Sequence, residues 1–167
     1  MRSLLLSLSL LAALPAPAAP PDAEASDPAR LGWMKGAPPP AERTIRFADG
    51  SYADFPAWRW SVAHFRELMP TVQVSRGLGA PRPLPRAERG DIDGLRFTPL
   101  GGGEPITWAQ SLALNYTDGI VVLHKGRLIY ERYFGALQAD GQHGAMSVTK
   151  SFVGTLASML VAQGQLD

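Results

Sequence analysis

Ala145-Met146-Ser147-Val148-Thr149-Lys150-Ser151-Phe152 sets a hydroxyl and an ammonium three residues apart, at the entrance to an amphipathic run that continues from Val153 to Ala162. On a helix, positions i and i+3 lie on one face about one turn apart, so Ser147 and Lys150 can point into the same cavity. Serine is a weak nucleophile until a neighbouring base takes its proton. A lysine can be that base if burial or nearby positive charge favours its neutral form. The start of the helix adds a partial positive charge, and the backbone N–H of Ser147 is available to an oxyanion. Ser147 and Lys150 are therefore the candidate catalytic residues. A lone Ser-x-x-Lys arises by chance about once in a chain of this size, so its weight comes from its surroundings.

Working outward, the run after Ser147 reads as a helix to about Gln163, with Gly164 placed to end it. Upstream, Gly119-Ile120-Val121-Val122-Leu123-His124 reads as a buried strand, Lys125-Gly126 as a tight turn, and Arg127 to Phe134 as a return strand with partial alternation. That is an antiparallel hairpin. Before it, Trp108 to Asn115 reads as a short helix behind a Thr107 cap.

The earlier chain is less regular. Thr44 to Phe47 alternates as a strand does, Asp49-Gly50 is a turn signal, and Tyr52 to Phe55 is a second extended piece that can pair with the first. Trp58, Val62, Phe65 and Met69 repeat at helical spacing and predict one short helix stopped by Pro70, with His64 as a structural or surface residue. Gly77-Leu78-Gly79 lacks both a leading strand and the third glycine of a dinucleotide loop. Asp91-Ile92-Asp93-Gly94 has two carboxylates and none of the later calcium-loop ligands, so it reads as a turn. Gly101-Gly102-Gly103 reads as a flexible loop. Asn115-Tyr116-Thr117 matches a glycosylation sequon, which matters only in a eukaryotic source.

Composition narrows the function classes. A formal charge of +1 with no clustered Lys/Arg face argues against a nucleic-acid partner. The absence of cysteine removes disulfides, a thiol nucleophile and thiolate metal sites together. His64, His124 and His143 form no His-x-x-x-His pair, which leaves a zinc hydrolase without its ligands. No metal or organic cofactor is implied. The 17 Gly and 15 Pro, about a fifth of the chain, require long loops.

At the start, Met1-Arg2, the apolar run Leu4 to Leu14 and Ala16-Pro17-Ala18 have the order of a secretory signal peptide over 1–18. This favours a periplasmic or secreted protein with no membrane span after cleavage. An uncleaved anchor or a misassigned start codon is the alternative. Residues 19–43 read as a Pro/Ala-rich linker and extended arm, with Trp33 placed to anchor it on the body, and 44–167 as the folded part.

A strand, a Gly turn, a strand ending Tyr-Glu-Arg-Tyr-Phe-Gly, a short gap and Met-Ser-Val-Thr-Lys-Ser opening a helix together resemble the penicillin-recognising serine hydrolases. That group includes serine β-lactamases, DD-peptidases and related esterases and amidases. Within it the chain is most similar to the 6-aminohexanoate-dimer (nylon-oligomer) hydrolases. The residues carrying this narrower likeness are Gly32-Trp33-Met34, Phe55-Pro56-Ala57, Arg59-Trp60-Ser61-Val62, Met69-Pro70-Thr71-Val72, Val74 to Pro81, Phe97-Thr98-Pro99-Leu100 and Asn115 to Ile120. The resemblance implies an α/β (α+β) β-lactamase/transpeptidase-like fold, here an N-terminal portion with the antiparallel hairpin followed by the nucleophile helix. It also implies a small-molecule amide or ester substrate, with Ser147 as nucleophile, Lys150 aiding its deprotonation, and the Ser147 N–H as half of an oxyanion hole.

In that family a later tyrosine completes the proton relay and a (Lys/His)-(Thr/Ser)-Gly-like strand lines the opposite wall. The family pattern puts both beyond Asp167, so the expectation is an incomplete hydrolase domain, inactive alone. A non-catalytic truncated secreted protein or binding module is the alternative. Oligomeric state has no signal in the sequence.

Overall fold

The computed structural model describes residues 19–167. The expected signal peptide over 1–18 lies outside the described residues. Five helices are named here in chain order: α1 Pro28–Leu31, α2 Ala57–Ser61, α3 Phe65–Leu68, α4 Trp108–Leu114 and α5 Val148–Ala162. Four strands, β1 Arg96–Phe97, β2 Ile106–Thr107, β3 Gly119–His124 and β4 Arg127–Tyr133, form two antiparallel pairs, β1 with β2 and β3 with β4.

The expected hairpin is present, but β3 is not the buried strand its apolar run suggested: Val121 and Leu123 are 48% and 52% exposed. Val122 faces Tyr130 and His124 faces Arg127, with a register slip between Val122 and Leu123. Its turn needs two positive φ angles, 49° at Lys125 and 75° at Gly126, which match the twist of the flanking strands. The far edge of β4 is also paired: Ala87 N–H donates to Leu128 O (2.8 Å) and Leu128 N–H to Pro85 O (2.8 Å). Alternation along β4 sends Leu128 and Tyr130 inward, 4% and 1% exposed. Tyr130 joins Ile92 and Leu112 in a core flanked by Trp108, Ile120, Val122 and Ile129.

Leu112 comes from α4, whose start is set as expected. Thr107 Oγ1 accepts from Gln110 N–H and the Gln110 side chain accepts from Thr107 N–H, a reciprocal capping box. The β1–β2 pairing around the glycine loop was not foreseen, because a strand of two residues leaves no alternation to read.

A second core holds Ile45, Ala57 and Trp60, with Trp33, Met34, Tyr52 and Leu68 against it. Trp33 does anchor the early chain. The stretch around it is more than an extended arm. Asp27 Oδ1 accepts from Ala29 N–H at 2.7 Å to start α1, Gly32 (φ 66°) ends it, and Ser26 is fully buried.

Two expectations here are corrected. Thr44 to Phe47 and Tyr52 to Phe55 do not pair as strands. Ser51 Oγ accepts from Arg46 N–H (2.9 Å) and donates to Arg46 O (3.2 Å), and Ser51–Ala53 closes as a 3-10 turn. A serine side chain has taken the backbone groups that a ladder would have used. The single helix expected from Trp58 to Met69 is broken into α2 and α3. Ala63 N–H and His64 N–H reach back three residues to Trp60 O and Ser61 O, and the His64 ring stacks on Trp60 at 3.9 Å with Nδ1 2.7 Å from Trp60 O. That tightened turn redirects the chain.

α5 begins and ends where the sequence placed it, with Gly164 at φ 67°. None of its residues is buried, and Phe152, Leu156 and Met159 are 70%, 57% and 54% exposed.

Candidate active site

The turn that carries Ser147 is made by backbone bonds alone. Met146 takes φ 45°, Val148 N–H donates to Ala145 O (3.0 Å) and Thr149 N–H to Met146 O (3.1 Å), and Ser147 becomes the N-cap of α5. Its hydroxyl caps nothing. It is therefore free for other contacts, and Lys150 Nζ lies 3.1 Å from Ser147 Oγ. The two sequence-predicted residues are thus brought together, at hydrogen-bond distance and one helical turn apart. Both are exposed to solvent. A general base must accept the serine proton, and the 3.1 Å contact places Lys150 Nζ within reach of it.

The residues just before Ser147 are pinned to the body. Gly144 N–H donates to Val62 O (2.6 Å), and its Cα lies so close to the Phe65 ring that a Cβ would overlap it. His143 Nε2 is 3.3 Å from Asp118 Oδ2. Asp118 Oδ1 in turn accepts from Arg59 Nη2 at 2.9 Å, and Arg59 Nη1 donates to Ala23 O (2.6 Å) and Ser26 Oγ (2.9 Å). The Arg59 and Asp118 side chains are only 5% and 14% exposed. This polar node joins the early chain, α2, the start of β3 and the approach to Ser147. Sequence reasoning missed its function: Arg59 and Asp118 entered only as parts of resemblance blocks, and His143 as an isolated histidine.

Beside the node is an open cavity of about 400 Å3 whose walls include Tyr116, Asp118, Gly119, Tyr133, Leu137 and His143. Ser147 and Lys150 are not among its lining residues. Asp93, in the Ile92–Gly94 turn, accepts from two β4 side chains, Tyr130 OH (2.5 Å) and Arg132 Nη2 (3.0 Å), and these donors, Tyr130 first, hold its carboxyl below the ordinary value. Burial, and then the hydrogen bond to Asp93, push the Tyr130 phenol up. Among the described residues no three His, Asp or Glu side chains gather as a metal site, and no helix is long and apolar enough to cross a membrane.

Comparison with known proteins gives one consistent answer. The Beta-lactamase family model matches residues 116–167, the hairpin through α5. The chain is 32% identical over 117 residues to a 6-aminohexanoate-dimer hydrolase of Paenarthrobacter ureafaciens, covering 70% of this chain and 28% of that protein. A solved structure, a putative 6-aminohexanoate-dimer hydrolase from Bacillus anthracis, superposes with a TM-score of 0.67 at 27% identity, covering 78% of this chain and 32% of that one. The chain thus spans about a third or less of the length of these relatives. Family match, sequence similarity and shared fold agree over this span, which is similar to part of a beta-lactamase-like hydrolase.

Proposed function

We propose that the chain carries the nucleophile element of a serine acyl hydrolase that cleaves amide or ester bonds in small molecules, of the kind named for its 6-aminohexanoate-dimer hydrolase relatives. The observation that carries this reading is the 3.1 Å contact between Lys150 Nζ and Ser147 Oγ at the start of α5. In the proposed reaction the neutral Lys150 amine takes the Ser147 proton as Oγ bonds to the substrate carbonyl carbon. The tetrahedral oxyanion accepts from the Ser147 N–H, the amine or alcohol leaves with a proton, and water releases the acyl group from Ser147. The signal-peptide-like order of residues 1–18 in the sequence is the ground for reading the protein as periplasmic or exported.

A second reading, in which this 167-residue chain by itself is non-catalytic, is favoured by one observation: α5 has no buried residue and Lys150 stands in water. A fluorophosphonate probe with mass-spectrometric mapping separates the two. Slow stoichiometric labelling at Ser147, lost in Ser147→Ala and reduced at least about tenfold in Lys150→Ala, supports the hydrolase reading, since a positioned base contributes about that or more. Labelling spread over several serines, unchanged by either substitution, refutes it.

A further inference from the structure

His143 has an acceptor at each ring nitrogen. Nε2 faces the Asp118 carboxylate (3.3 Å) and Nδ1 faces the carbonyl oxygen of Gly144 (3.2 Å). A neutral imidazole carries one N–H and can satisfy only one of them. The imidazolium carries two and satisfies both. Asp118 is itself fixed, its other oxygen held by the buried Arg59 guanidinium. Gly144, whose oxygen is the second acceptor, is three residues before Ser147 and is pressed against Val62 O and the Phe65 ring.

We propose that imidazolium His143 is a positioning residue for the turn that carries Ser147, fastening it to the Arg59–Asp118 ion pair, and that loss of its proton loosens the turn. The proposal rests on the reading of Ser147 as nucleophile for its catalytic consequence, though not for the tether itself. The charged and titratable groups around His143 are Asp118 just before β3, Arg59 of α2 behind that carboxylate, and Arg66 of α3, whose Nη1 is 3.5 Å from the adjacent Gln142 Oε1. The Tyr116 and Tyr133 phenols share its cavity. One carboxylate is thus set between two cations and answers both. The sign follows: the tether is complete at low pH and half-made once the ring is neutral. His143 is 38% exposed, so water competes and the effect is that of a part-exposed pair, about two- to fivefold.

The test is made on the full chain, uniformly 15N-labelled, from pH 5 to pH 8, the range in which imidazoles change charge. The expected result is that Gly144 amide protection, corrected for intrinsic exchange, falls about two- to fivefold with the same midpoint as the His143 ring resonances. His143→Gln, a neutral surface replacement that keeps one donor, removes the inflection, and the core amide of Leu112 shows none in either protein. A Gly144 amide that ignores the His143 titration in the wild type overturns the proposal. The fluorophosphonate rate at Ser147 is read in parallel. An inflection present in the wild type and absent in His143→Gln supports the positioning role. A coupled Gly144 amide with Ser147 unlabelled in every variant leaves the tether standing and sinks the nucleophile assignment instead.

Discussion

Replacing Arg59 by Met keeps the length and apolar stem of the side chain and removes its charge. Three hydrogen bonds go with it, to Ala23 O, Ser26 Oγ and Asp118 Oδ1, and the Asp118 carboxylate stays behind at 14% exposure. Breaking a buried pair in this way costs about 3–5 kcal/mol, most of it for the stranded charge. The lower end applies here. Asp118 keeps His143 as a second partner, and Arg59 Nε is already buried without one, so the wild-type arrangement is itself short of its full gain. With a urea m-value of about 2 kcal/mol per M, a loss of about 3 kcal/mol lowers the midpoint by about 1.5 M. Tryptophan fluorescence reads the transition, since Trp58 and Trp60 flank the site in α2. A local readout goes with it: with Ala23 and Ser26 released, tryptic cleavage after Arg30 should accelerate under native conditions. A midpoint shift below about 0.3 M, with cleavage at Arg30 unchanged, would refute the claim that this ion pair joins the early chain to β3.

Two further predictions concern packing and pH. Leu112→Ala, in the core under Tyr130, should cost about 2–4 kcal/mol, whereas Leu156→Ser on the uncovered face of α5 should change stability by less than about 0.5 kcal/mol, both read by urea unfolding of the 167-residue chain. Equal losses at the two positions would mean that α5 is packed in solution. The Asp93 carboxyl is held below its ordinary value by Tyr130 and then Arg132, so its contribution is present above the unfolded carboxylate's pKa and lost as pH falls through the lower folded value. Asp93→Asn should therefore flatten part of the acid limb of a stability–pH curve and leave the slope between pH 6 and 8 alone; an unchanged acid limb would count against the Tyr130–Asp93–Arg132 network.

What was legible in the sequence was local. The β3–β4 hairpin could be read because an apolar run, a Lys-Gly turn and an alternating return strand are neighbours. α4 could be read because Thr107 and Gln110 cap it within one turn, and Ser147 and Lys150 because a helix fixes their separation. The failures have physical causes of the same kind. The spacing of Trp58, Val62, Phe65 and Met69 is helical, yet His64 folds back onto Trp60 and breaks the run into α2 and α3. The alternation at Thr44 to Phe47 is strand-like, yet Ser51 closes it with its side chain. The Arg59–Asp118 pair spans 59 residues and the His143–Asp118 contact 25, distances at which no periodicity connects one residue with another.

The same division of local from long-range contacts runs through the candidate site. The Ser147–Lys150 contact needs only one turn of helix, so α5 forms it even with its apolar face uncovered. Reactivity depends on something a single helix cannot supply, a neighbourhood that removes water from Lys150 and makes its neutral form favourable. Among the described residues none covers α5 in this way: Phe152, Leu156 and Met159 are large, apolar and more than half exposed. The approach side is different. There Gly144 is wedged against Phe65, His143 is tied to Asp118, and Asp118 is held by a buried arginine. If Ser147 is the nucleophile, as proposed, the orientation of its turn and its activation are set by different parts of the structure. A substitution at His143 should act on the first and one at Lys150 on the second, so that the inflection between pH 5 and 8 disappears in His143→Gln and persists in Lys150→Ala, where the rate falls and the limb due to the base is lost instead.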